Sequence, residues 1–187
     1  SARKKGFTNR MLQHVLERID GTKEIVSAYD IEAAPCKDCR YCWRKRGCTI
    51  QDAMQEIYRK IDEADLIIFS SPVYFHTVTG PLKTIIDRLQ MYWAGSLRKD
   101  KELEKKKLGA ILLCGGAPPF ENQFLGAEIV LRGVLGDLNA NCLGVVTMEN
   151  TDRVIFEKET RVLTDLEQLA EKIMYMMNIE QPVKLES

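Results

Sequence analysis

Residues 65–88 read DLIIFSSPVYFHTVTGPLKTIIDR. The first seven, Asp65–Ser71, form a nearly continuous apolar run. A run without polar alternation is the mark of a strand buried on both faces, as in parallel sheets. Ser71-Pro72-Val73-Tyr74-Phe75 follows as a loop at the strand's end. Gly80-Pro81 then opens a helix, with proline acceptable in a first turn, and the helix is predicted to continue to about Trp93. Strand, loop and helix in that order are one unit of an α/β fold.

The same alternation extends in both directions. Upstream, a helix is predicted from about Gln51 to Ala64, with Met54, Ile57, Tyr58 and Ile61 on one face. Residues 31–50 form a cysteine-bearing loop, and residues 23–29 (KEIVSAY) read as a strand. The first helix runs from about Thr8 to Ile19, carries Met11, Leu12, Val15 and Leu16 inward, and has Thr8 as its cap. Downstream, the charge run 98–107 (RKDKELEKKK) reads as a solvated loop or helix end. Leu108–Cys114 is a second buried strand, ending in Gly115-Gly116. A helix over about Asn122–Leu138, a strand over about Cys142–Met148 and a helix over about Glu159–Met177 complete the series. The expectation is one doubly wound α/β domain over residues 1–187, with 31–50 as a loop insertion. Seven residues without strand character precede the first helix, whereas such sheets place a strand just before their first phosphate loop. A further strand is therefore expected upstream.

Composition narrows the function. Hydrophobic residues make up 45% and charged residues 29% of the 187, ordinary values for a globular protein. Lys+Arg and Asp+Glu are both 27, so nothing favours nucleic acid or an anionic membrane as partner. The apolar runs 66–69 and 110–113 are far short of the roughly 20 residues of a membrane span. No basic start with an apolar middle marks a signal peptide, so a cytoplasmic protein is expected. Thiols stay reduced there, and six cysteines then argue for metal or redox chemistry over disulfides.

Three loops read as ligand-binding. Ser1-Ala2-Arg3-Lys4-Lys5-Gly6-Phe7-Thr8-Asn9 leads into a helix and offers hydroxyls, a guanidinium and helix N-terminal N–H groups. That set suits a phosphate dianion, although a basic N-terminus with an ordinary cap has the same letters. Pro72, Val73, Tyr74 and Phe75 offer backbone and ring surface to a flat heterocycle, or simply pack on the sheet. Gly115 and Gly116 allow close backbone approach. All three sit where open α/β sheets bind ligands. The sharpest signal is Cys36-x2-Cys39-x2-Cys42-x5-Cys48, four thiols within thirteen residues. The triplet favours a cubane iron–sulfur cluster over zinc, with a loop of free thiols as the alternative. Arg40, Arg44, Lys45 and Arg46 would offset the cluster's charge and attract an acidic electron-transfer partner. Cys114 and Cys142 read as small core residues, His14 as a helix-surface side chain and His76 as a polar loop residue beside the ring site. No nucleophile elbow, HExxH motif or carboxylate pair supports a hydrolase.

Ser1-x-Arg3…Thr8, Ser71-Pro72-Val73-Tyr74-Phe75…Gly80-x-Leu82-Lys83-x-x-x-Asp87-Arg88 and Gly115-Gly116 resemble the NAD(P)H-dependent FMN reductase family. The cysteine run is similar to that of its iron–sulfur flavoprotein branch. The likeness covers residues 1 to about 150. It implies a flavodoxin-like fold, with five parallel strands in the order 2-1-3-4-5 between two helix layers. It implies that Ser1, Arg3, Thr8 and Asn9 hold the FMN phosphate, and that Pro72, Val73, Tyr74 and Phe75 line the ribityl chain and ring. Gly115 and Gly116 would close on the pyrimidine side, and Cys36, Cys39, Cys42 and Cys48 would ligate a 4Fe–4S cluster. Ala2 stands where the family often has proline, and Phe7 where it usually has asparagine, which leaves the phosphate one donor poorer. The implied protein is an FMN oxidoreductase or electron-transfer protein, a homodimer or homotetramer, exchanging electrons with small-molecule or protein partners. Without the cluster it is an NAD(P)H-dependent FMN or quinone reductase. No acid–base residue is named, because hydride transfer needs placement more than proton transfer. A non-enzymatic signalling module on the same fold lacks its acidic strand ends here, and a zinc-stabilised regulatory protein is separated by metal analysis.

Overall fold

The computed structural model describes residues 1–103 and 105–180. Among them, strands β1 (Leu66–Pro72), β2 (Lys107–Cys114) and β3 (Ala140–Met148) form a parallel sheet in the order β1-β2-β3. The helices are α1 (Phe7–Leu16), α2 (Met54–Glu63), α3 (Gly80–Arg88), α4 (Gln90–Arg98), α5 (Leu125–Asp137) and α6 (Thr160–Glu180).

β2 explains the layering. Every one of its residues is buried. Ile111 and Leu113 pack with buried residues of α2, α3, α4 and α5. Leu108, Ala110, Leu112 and Cys114 pack with α1 and α6 on the opposite face. Successive strand side chains point to opposite faces, so a strand covered on both sides must be apolar throughout. The result is helix, sheet, helix, with two cores sharing one strand.

Four expectations need correction. Residues 23–29 form no ladder, and Ile25 and Val26 are 55% and 41% exposed. In a 2-1-3-4-5 sheet one strand would lie between this segment and β1. Among the described residues nothing fills that place, so the segment's N–H and C=O groups have no strand to pair with. A groove of about 590 Å³ lies there, lined by Ile25, Val26 and Ser27 on one side and by Ser70 of β1 on another. The segment is tethered instead by Lys60 of α2, which pairs with Glu24.

The single helix expected over 80–93 is two, broken at Leu89, whose ψ is 0°. The tight Leu89 N–H to Ile86 carbonyl bond of 2.9 Å marks the break. It turns both Arg88 and Tyr92 inward, to 2% and 1% exposure. α1 begins at Phe7 with Gly6 as its cap, so Thr8 is not the cap. The charge run is not wholly solvated either, since its last residue, Lys107, starts β2 and is buried.

Candidate functional site

The ladder register pairs Pro72 with Cys114 and Cys114 with Met148. The loops after the three strands therefore leave the sheet side by side, and α1 starts beside them. The Thr8 hydroxyl lies 2.9 Å from the Cys114 sulfur, and the Thr8 carbonyl accepts a 3.0 Å bond from the Ser70 hydroxyl. Thr8 thus ties α1 to the ends of β1 and β2. Its hydroxyl, expected at the phosphate, is engaged with the core. The segment before α1 is folded by its own bonds: Asn9 donates to the Lys4 carbonyl at 2.8 Å, and Gly6 N–H to the Arg3 carbonyl at 3.0 Å. The Arg3 N–H donates to the Ser1 hydroxyl at 3.3 Å. No side chain caps α1, so its N-terminal dipole end is open to an anion. Ser1, Arg3, Lys4, Thr8, Asn9 and Ser70 line the groove beside it, and Arg3 is exposed.

The next loop is tightly built. Val73 N–H donates to the Cys114 carbonyl at 2.8 Å, extending the β1–β2 pairing past Pro72. Tyr74 and Thr77 exchange backbone bonds of 2.9 and 3.2 Å around a two-residue tip. Phe75 and His76 at that tip both hold positive φ, 47° and 64°, and Phe75 is 99% exposed. Two successive bulky residues in the left-handed region are strained, and such strain clusters at ligand sites. The first turn of α5 braces the tip, since a Cβ on Gly126 would sit 2.3 Å from the His76 carbonyl oxygen. His76 also meets the edge of Phe120, with ring centroids 5.8 Å apart.

Gly115 and Gly116 are closely approached by the protein's own side chains. Cβ atoms there would lie 2.7 Å from Gln123 Nε2 and 2.5 Å from Asp152 Oδ2. Thr151 N–H and Asn150 N–H donate to the carbonyls of Gly115 and Ala117 at 3.0 and 2.8 Å. The loop after β3 therefore clasps the loop after β2, and it leaves the Asn150 Oδ1 acceptor buried without a partner.

The cysteine loop makes a separate chamber. Cys36, Cys39, Cys42 and Cys48 line one small cavity of about 20 Å³, with Arg88 and Met91 in its wall. Left-handed backbone at Asp38 and Arg40 wraps the chain around it. Trp43 docks the loop on α4 by an edge contact with Trp93, centroids 5.0 Å apart. Cys36 and Cys39 are exposed, while Cys42 and Cys48 are half-buried. The Tyr41 N–H, then the Thr49 hydroxyl, hold the Cys39 thiol below its usual range. Burial, then the neighbouring Cys36, pushes Cys42 up. Four thiols on one wall are the donor set of an iron–sulfur or zinc site. They do not yet converge: among the described residues no three His, Cys, Asp or Glu side chains form a group that could hold a metal ion.

Arg88, in the sequence only the last letter of the Gly80–Arg88 motif, has a structural role that the motif does not show. Its guanidinium makes a fork to Asp52, with bonds of 2.7 and 3.1 Å, and reaches the carbonyls of Ala34 at 2.8 Å and Ile50 at 3.3 Å. Burial opposes both charges. The Arg88 bond, with N–H donors from Ala34 and Met54, still leaves the Asp52 carboxyl below its ordinary range. Asp52 likewise holds Arg88 above its own. The signal was present: Arg88 lies three residues after buried Ile85 and one before buried Leu89, a charge on an apolar stripe.

The sequence profile of the NADPH-dependent FMN reductase family matches residues 1–151. The chain belongs to that family. An iron–sulfur flavoprotein of Methanosarcina thermophila is 41% identical over 86 residues, 46% of this chain and 42% of that one. One from Methanocaldococcus jannaschii is 37% identical over 114 residues, 59% of this chain and 56% of that one. The chain spans about half the length of the curated relatives it matches. Among solved structures, an FMN-dependent NADH-azoreductase of Bacillus anthracis in complex with FMN superposes with a TM-score of 0.67 at 14% identity, covering 92% of this chain and 93% of that one. An NADH:FMN oxidoreductase gives 0.63 at 21% identity, covering 94% and 85%. These two likenesses establish the α/β fold of this FMN reductase family member.

Proposed function

We propose that this FMN reductase family member is an FMN-dependent oxidoreductase, with FMN held across the loops at the strand ends. The observation that carries this is their juxtaposition: an uncapped helix start with exposed Arg3, the strained 72–77 tip and the 115–117 loop share one sheet edge. Arg3, with Ser1, Asn9 and the N–H groups of α1, holds the phosphate. Thr8 contributes its backbone and fixes the helix against the sheet. Pro72, Val73, Tyr74 and Phe75 line the flat ring, and Gly115 and Gly116 bound its far side. Bound FMN supplies reversible uptake of electrons, which no side chain here provides. The protein's part is binding, orientation and exclusion of water. NAD(P)H or a protein carrier is the donor, and exposed Phe75 suits contact with a second copy in a homodimer or homotetramer. A reducing, cytoplasmic setting fits the loop thiols. The test is FMN titration by flavin fluorescence. Arg3→Ala should weaken binding by about 1.5–3 kcal/mol, roughly 10- to 150-fold, through loss of a charge-assisted bond. Unchanged affinity would refute the phosphate assignment.

A second component rests on the chamber. Its four thiols and the iron–sulfur names of the relatives support a 4Fe–4S cluster on Cys36, Cys39, Cys42 and Cys48. Such a cluster would supply one-electron steps beside the flavin. α3 carries the chain from the ring loop to the chamber wall, a rise of about 12 Å. Iron and sulfide analysis with a visible spectrum of protein purified without oxygen decides. Flavin bands on a broad shoulder support the cluster, while flavin bands alone return the protein to a simple NAD(P)H-dependent reductase.

A further inference from the structure

Arg88 is the most deeply buried cation described in this chain, with a side chain of 0% exposure. Its two terminal nitrogens are fully used on Asp52, Ala34 and Ile50. Its third donor is not. The Nε–H is buried and has no hydrogen-bond partner. Leaving a buried donor unpaired forfeits the bond it made to water, so such an atom calls for an acceptor. Arg88 also lines the cavity walled by the four cysteines, where sulfur is the abundant acceptor. The three groups it does bind bracket those cysteines in sequence, with Ala34 just before Cys36 and Ile50 and Asp52 just after Cys48. One side chain therefore closes both ends of the loop, lines the cavity and keeps one buried N–H unpaired.

We propose that Arg88 is a positioning residue of the cysteine chamber, its fork fixing the loop and its Nε–H donating to a sulfur of the iron–sulfur group held there. The proposal rests on the cluster reading above. Hydrogen bonds to sulfur and nearby positive charge favour the more negative, reduced state and raise the reduction potential. Lysine in its place keeps the charge facing Asp52 but carries no Nε–H donor of this geometry.

The experiment uses the full chain, purified without oxygen and reconstituted with iron and sulfide, in three forms: unchanged, Arg88→Lys and Arg40→Lys. Arg40 is the other guanidinium of the cavity wall and is exposed, so its replacement controls for proximity alone. Iron content and the midpoint potential are measured for each. With arginine labelled by ¹⁵N, pulsed EPR of the reduced protein reads coupling between the cluster and a guanidinium nitrogen. The expected result is bound iron in all three, a more negative midpoint for Arg88→Lys alone, and a ¹⁵N coupling that is lost in Arg88→Lys and survives in Arg40→Lys. If Arg88→Lys fails to fold, the coupling in the other two forms still decides. A loaded cluster with no guanidinium coupling, or with a midpoint indifferent to Arg88→Lys, overturns the proposal while the cluster reading stands. No iron in the unchanged protein overturns both.

Discussion

Asp52 and Arg88 show how much of the site depends on one pair of residues. Removing either partner strands a buried charge, and Asp52→Ala should cost about 3–5 kcal/mol in urea unfolding. The pair also sets a response to acid. The Asp52 carboxyl titrates below its ordinary value in the folded chain, because Arg88 and two backbone N–H groups outweigh the burial that opposes its charge. Its contribution is complete above the unfolded carboxylate pKa of about 3.9 and is lost as the pH falls through the lower folded value. Unfolding free energy measured from pH 6 to pH 2 should therefore fall less steeply in Asp52→Asn than in the unchanged protein. Equal slopes would mean that the pair does not govern acid stability. At this scale the grouping of Cys36, Cys39, Cys42 and Cys48 was legible because the four lie within thirteen residues, and they line one cavity. Thr8 and Arg88 were not, because their partners, Cys114 and Asp52, lie 106 and 36 positions away.

Among elements, legibility followed burial. β1 and β2 were readable from their apolar runs, since helices cover both faces. The α3–α4 break at Leu89 was not, since no proline or glycine marks it and tertiary contacts of Arg88 and Tyr92 set it. Residues 23–29 have the letters of a strand, but strand formation needs a neighbour as well as letters. The groove between that segment and β1 gives a direct test. An apolar strand of six or so residues fused ahead of Ser1 should pair there, raise the melting temperature by several degrees and protect the amides of 23–29 from exchange. Unchanged melting and exchange would leave the 2-1-3-4-5 order without support.

In the whole molecule, parallel topology does most to make function readable. Parallel strands send their exits to one edge, so residues 1–9, 72–77 and 115–117 meet although about a hundred positions separate the first from the last. That is why three weak loop signals, each with an ordinary structural explanation, could be added together in the sequence. The cysteine chamber lies elsewhere, joined to that edge by α3. The charges balance at 27 of each sign, so the chain carries no net charge that favours a partner of either sign.

The clamp at the end of α3 also makes the cysteine loop depend on the docking of that helix. Arg88 reaches Ala34, Ile50 and Asp52 only with α3 docked, so the two ends of the cysteine loop are held by a helix more than thirty positions away and not by the loop's own letters. Cys36 and Cys39 face solvent, so reagents can reach that wall while the clamp stays closed, and alkylation of these two thiols reports on the loop without unfolding it.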